Sequence, residues 1–180
     1  ESSKGSLPTG QGKTDMFQKP LPAFIASVYE IINGGWELED ILDCLKTGLT
    51  GLSDDECDRL ENYAYKWQLH GSAWTKNADW TLAPVNSGND SDGAEELRII
   101  NRLRRRFSEP LLHFAQDTEA ACTALGQAQA LSGLFAELGL PERLEAKALE
   151  LIAGNRAAAA QEYAQLWDIT VSALEQCAMI

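Results

Sequence analysis

No stretch of this chain approaches 18 consecutive apolar residues, the length a helix needs to cross a bilayer, so a membrane span is excluded. A basic start followed by an apolar core is also missing, and no signal peptide is expected. Histidine is scarce, with only His70 and His113, and no Glu-x-x-His occurs, so a carboxylate-bridged di-iron bundle lacks its ligands. The four cysteines (Cys44, Cys57, Cys122, Cys177) form no close pair, which argues against a zinc knuckle. Each falls on the apolar side of an expected helix, so they read as reduced, buried thiols in a cytoplasmic protein. Basic side chains are outnumbered 15 to 27, for a net charge of −12. Such a surface repels phosphate, so any contact with DNA needs a local basic patch. Strand-like alternation is absent throughout.

What the chain does have is helical periodicity. Its 180 residues, 44% apolar and 23% charged, are enough for one ordinary domain that buries roughly 70% of its unfolded surface. The chain begins at Glu1 rather than Met and ends in a helical pattern without a stop signal, so a piece of a larger protein is expected. Residues 1–18, rich in Ser, Gly, Lys and Thr, read as a flexible lead-in, and residues 19–180 as a single helical subdomain. Pro20 and Pro22 open a helix that buries Phe24, Ile25, Val28, Ile31 and Ile32 and stops at Asn33-Gly34-Gly35. A second helix carries Leu38, Ile41, Leu42 and Leu45, and ends near Gly48. Ser53 with Glu56 forms a capping box before Cys57, Leu60, Tyr63, Ala64 and Trp67.

Residues 70–93 read as a long loop pinned by Trp74 and Trp80, with a mobile tip at Asn86–Gly93. Helix resumes from Ala94 to Phe107, and Ser108-Glu109-Pro110 is expected to break and restart it. A further helix spans about Thr118 to Leu138, turning Cys122, Leu125, Leu131, Leu134, Phe135 and Leu138 inward, with Gly139 as its stop signal. Pro141 opens a helix burying Leu144, Ala148, Leu151 and Ile152 until Gly154-Asn155. The last helix sets Ala159, Tyr163, Leu166, Trp167, Thr170, Leu174 and Cys177 along one seam. The expectation is an all-α fold of about seven helices packed as antiparallel hairpins.

Several motifs invite chemistry and fail on context. Gly10-Gln11-Gly12-Lys13-Thr14 has Leu7 where a phosphate loop needs glycine, with no strand before it and no helix after it. Aligning Gly93 with the turn glycine of a calcium loop puts Gly88 and Ile99 at two ligand positions, beside Asp90 and Asp92. Glu145 and Lys147 form an E-x-K pair, but on a helix residues two apart diverge by about 200° and cannot share a metal. No catalytic or metal site emerges from spacing.

One charge pattern survives. Arg98, Arg102, Arg105 and Arg106 fall within roughly a third of the circumference of one helix, opposite Leu97, Ile100, Leu103 and Phe107. Arg104 lies near the apolar boundary, where its stem could snorkel. The stripe is either a contact for phosphate or an acidic partner, or a solvated face paired with the chain's own carboxylates such as Glu95.

Leu45-Lys46-Thr47-Gly48-Leu49-Thr50-Gly51-Leu52, Asp58–Tyr63 (DRLENY), Trp67, Gly71-Ser72 and Trp74-Thr75 together resemble the B subunit of the AddAB-type (RexAB-type) ATP-dependent helicase–deoxyribonuclease. Gln18–Pro22, Gly35–Glu37, Ile100–Arg106 and Glu162–Trp167 are similar to the same family, so the resemblance covers about residues 17–180. It implies a role in double-strand-break repair by recombination, and a chain corresponding to an internal helical portion of the 2B-subdomain type. The parent's ATP, magnesium and iron–sulfur cluster would be bound elsewhere, and this stretch would do no catalysis itself. The implied partners are the A subunit and DNA. A free-standing helical adaptor that binds a protein partner is the alternative.

Overall fold

The computed structural model describes residues 20–84 and 90–178. Among these residues the fold is all-α, with eight helices and no strand. They are α1 (Pro20–Gly34), α2 (Leu38–Lys46), α3 (Asp54–Trp67), α4 (Ser72–Thr75), α5 (Asp90–Ala120), α6 (Ala124–Glu137), α7 (Leu140–Ala153) and α8 (Ala157–Ala178). The lead-in at 1–18, the glycine–lysine motif within it and residues 86–89 of the expected loop tip lie outside the described residues, whereas residues 90–93 of that tip are helical. No helix among the described residues is long and apolar enough to cross a membrane.

The core is built from the faces that periodicity marks. Phe24, Val28 and Ile31 of α1, Ile41 and Leu45 of α2, and Leu60 and Tyr63 of α3 are buried in one cluster with Ile100, Leu103, Phe107, Leu111 and Phe114 of α5. α1 packs on α2, α2 on α3, α6 on α7 and α7 on α8, and α5 is the element that α1, α3, α4 and α6 all touch. The expected capping box starts α3: Ser53 Oγ accepts from the Glu56 amide at 3.3 Å, and Glu56 Oε2 accepts from the Ser53 amide at 2.9 Å.

The family-like block Leu45–Leu52 forms the corner between α2 and α3. Gly48 (φ 71°) and Gly51 (φ 84°) occupy left-handed conformations that a side chain would strain, which explains the two glycines. Leu45, Leu49, Thr50 and Leu52 turn inward around them.

Three expected boundaries change. The chain does not break at Ser108–Pro110: α5 continues through Pro110 for 31 residues. Proline removes one intrahelical donor, but here the flanking Phe107, Ser108 and Leu111 are buried, so tertiary packing holds the helix together across it. The helix expected from Thr118 is instead two. α5 runs to Ala120 and α6 starts after Thr123, whose Oγ1 accepts from the Gly126 amide at 3.1 Å. Gln127 Nε2 donates to the carbonyls of Thr118 and Ala121 at 2.9 and 3.0 Å, satisfying the end of α5. Cys122, in that link, is therefore exposed rather than inward, while Cys44 and Cys57 are buried. At the other end, α5 begins at Asp90 rather than Ala94.

In the C-terminal helices, Leu144 and Leu151 are buried as expected, but Ile152 is 56% exposed. On α8, Trp167 packs on Phe135 with ring centroids 5.8 Å apart, and Ala160 rather than Ala159 is buried. The side chains of Tyr163, Leu166, Leu174 and Cys177 lie outside what the structure describes.

Candidate contact ridge

Residues 68–84, which follow α3, are held in place by tryptophan. Trp74 and Trp80 are both buried. Trp80 stacks on Tyr63 (5.3 Å between centroids) and meets Trp74 edge-on (5.0 Å), while Trp74 meets Phe107 edge-on (5.6 Å). Each indole finds an acceptor: Trp74 Nε1 donates to the Leu69 carbonyl and Trp80 Nε1 to the Ala73 carbonyl, both at 2.9 Å. Tyr63 Oη donates to the Leu82 carbonyl at 2.8 Å. These bonds press the segment against α5, where two polar side chains meet it.

Asn101 is one of them. Its Oδ1 accepts from the Trp80 amide at 2.8 Å, and its Nδ2 donates to the Trp80 and Leu97 carbonyls at 3.0 Å each. Arg104 is the other. Periodicity puts it at the apolar boundary with its head free to snorkel, but the residue is only 1% exposed. Its Nη1 donates to the Ala73 and Lys76 carbonyls at 3.1 Å each, and the guanidinium lies 5.3 Å over the Trp80 ring. Nε is buried without a hydrogen-bond partner among the described residues. Burial, reinforced by neighbouring Arg105, lowers its pKa from the ordinary arginine value, and Asp79 and Glu109 oppose that shift. The two carbonyls that the guanidinium satisfies, and the ring beneath it, explain why the cation goes in. Neither role is visible in sequence; the only trace is a polar pair interrupting the apolar face of α5.

The stripe itself is the outer ridge of α5. At 100° per residue the order around the helix is Arg105, Arg98, Arg102, Arg106. Arg98 pairs with Glu95 at 3.1 Å. Arg105 pairs with Asp79, which also lies 3.9 Å from Arg104. Arg106 reaches α3, donating to Glu56 at 2.6 Å and to the Gly51 carbonyl at 2.9 Å. The Ser53 amide, with help from Arg106, holds the Glu56 carboxyl below its usual range. Arg102, in the middle of the ridge, is exposed and has no carboxylate partner among the described residues. The structure thus brings the four arginines onto one surface and gives three of them internal carboxylates. Exposed pairs of this kind contribute only about 0–1 kcal/mol, so they can exchange for an external anion at little cost.

Elsewhere, Glu145 and Lys147 are exposed, and Lys147 pairs with Glu150 at 2.9 Å. Ile99 packs against the core, so it cannot stand in for a calcium ligand. His113 Nδ1 donates to Glu137 at 3.0 Å, joining α5 to α6. Among the described residues no three His, Cys, Asp or Glu side chains group as a metal site. The described thiols also do not fit an iron–sulfur cluster. Cys44 and Cys57 are buried, Cys122 is exposed, and the three form no metal-holding group among the described residues.

No protein-family model matches the chain. Curated relatives do. The chain is 30% identical over 166 residues to the B subunit of the ATP-dependent helicase/deoxyribonuclease of Acetivibrio thermocellus, covering 91% of this chain and 14% of that protein. It is 32% identical over 169 residues to the protein of the same name from Clostridium kluyveri, covering 91% and 15%. The same-named protein of Desulforudis audaxviator is 34% identical over 169 residues, covering 87% and 14%. The resemblance carried by the Leu45–Leu52 corner and the DRLENY helix is therefore borne out, and the chain spans about one seventh of the length of these relatives.

Proposed function

We propose, from the premise that this chain belongs to the family of ATP-dependent helicase/deoxyribonuclease B subunits and matches one segment of them, that the segment is a non-catalytic contact element. In this reading it serves the repair of double-strand breaks by recombination, and its α5 ridge lies along the DNA backbone. The observation that carries the reading is the ridge: four guanidinium groups on one face of a chain of net charge −12, with Arg102 at its centre lacking a carboxylate partner among the described residues. A local concentration of arginine in an acidic chain is what phosphate contact requires, and non-specific contact needs no base-reading side chains. ATP hydrolysis, magnesium binding, the iron–sulfur cluster and strand cleavage are assigned to other parts of such a protein. The A subunit is its natural partner.

Arg106 and Arg105 also tie secondary-structure elements together, so replacing all four arginines would confound contact with folding. The clean test replaces Arg98 and Arg102 with Ala in the intact two-subunit assembly and measures duplex binding across a salt series. Each lost phosphate contact should reduce the log–log salt slope by about 0.9, with affinity falling by the same amount on unrelated sequences. Unchanged affinity and slope would remove the ridge from DNA contact. Exposed Leu149, Ile152 and Ile169 on α7 and α8 favour a second reading, in which the segment grips a protein partner. Loss of subunit assembly on replacing those three residues, with the arginine variant silent, would support it.

A further inference from the structure

The peptide carbonyl of Gly51 collects two guanidinium groups from distant parts of the chain. Arg106 Nη2 on α5 donates to it at 2.9 Å, and Arg143 Nη2 on α7 donates to it at 2.7 Å. Arg143 also donates through Nε to the Leu138 carbonyl, at the end of α6, at 3.1 Å. Arg106 in turn is neutralised by Glu56 in the first turn of α3. One carbonyl oxygen has two lone pairs, and here both are taken by charged donors, which bind about twice as strongly as neutral ones. Gly51 is in the left-handed region (φ 84°), and a Cβ there would sit 3.6 Å from Leu138 Cδ2, so the corner also seats the end of α6.

We infer that the Gly51 carbonyl is a latch that fixes how the C-terminal helices α6–α8 are carried relative to α1–α3 and the arginine ridge. The α2–α3 corner, the long helix α5 and the α6–α7 junction all meet at this one atom. Arg143 is the arm of the latch that belongs to the C-terminal helices, and it is a positioning residue. Arg106 is the arm that belongs to α5, so part of its charge is committed to architecture. Arg143 lies outside the arginine ridge, so its variants report on the latch separately from DNA contact.

Hydrogen–deuterium exchange of the full 180-residue chain tests it, read by mass spectrometry on R143A and R143K beside the parent. In R143A, amides of residues 124–178 should exchange at least about fivefold faster, while those of residues 20–67 stay within about twofold. R143K keeps the cation but not the fork, and should show the same one-sided pattern at smaller amplitude. Should R143A fail to fold, R143K decides the matter alone. Equal acceleration in both halves, or none in either, overturns the latch.

Discussion

Replacing Asn101 should destabilise the chain far more than its one small side chain suggests. Asn101 gives the Trp80 backbone both an acceptor and a donor, at 2.8 and 3.0 Å, in a place where the residue is 4% exposed. Asn101→Ala leaves the Trp80 N–H and C=O without these partners in the interior. Each orphaned group costs about 1–3 kcal/mol, so the sum lies at about 2–6 kcal/mol. If the segment 76–84 lifts and lets water reach those groups, the cost falls towards the lower half of that range. Packing is then lost instead, because Trp80 bridges Tyr63 and Trp74. Asn101→Leu restores volume without restoring a donor or acceptor, and should do no better than Ala. The assay is guanidinium unfolding followed by far-UV circular dichroism, with the near-UV aromatic signal as a second probe. Arg102→Ala is the control: it lies one residue on, but on the exposed ridge, and should stay within about 0.5 kcal/mol of the parent. Asn101→Ala within about 0.5 kcal/mol of the parent, or Asn101→Leu equal to it, would refute the clamp.

Other consequences follow from single positions. Gly133 lies mid-helix with nothing near its absent Cβ, so Gly133→Ala should stabilise by about 0.5–1 kcal/mol. Gly126→Ala should destabilise despite the same gain in helix propensity, since its Cβ would sit 2.9 Å from that of Ala121; thermal melts of both variants check the opposite signs. Glu56 titrates below its ordinary range when folded, so its contribution is present above the unfolded carboxyl pKa and is lost as pH falls through the folded value. Glu56→Gln should therefore flatten the acid limb of a stability–pH curve and leave less difference from the parent at low pH than at neutrality. Under native conditions, iodoacetamide mapped by mass spectrometry should label Cys122 and spare Cys44 and Cys57 until the chain is unfolded.

The helices and most of their buried faces were legible because period 3.6 is written directly in the apolar residues of α1, α2 and α3, whereas on α7 it wrongly turned Ile152 inward. The corner at Leu45–Leu52 was legible as a family block, though its physical reason, two left-handed glycines among inward leucines, needed coordinates. Local signals misled where tertiary structure overrode them. Pro110 reads as a break, yet buried neighbours on both sides keep α5 whole. Thr123 caps a helix inside what looked like one continuous pattern, because alanines on both sides of it carry no directional information. Arg104 shows the limit most plainly. Periodicity could place it at a boundary but could not anticipate two carbonyls from residues 73 and 76 waiting beneath it. Long-range polar pairs, including both donors to Gly51, leave no trace in spacing.

Contact between the ridge and DNA is tested most directly by placing a photo-crosslinking amino acid at position 102 of the intact two-subunit assembly bound to duplex. A control carries the same group at position 58, on the acidic outer face of α3. DNA adducts are expected from position 102 and none from position 58. Adducts from position 102 to protein alone, or DNA adducts of equal yield from both positions, would contradict the proposed contact.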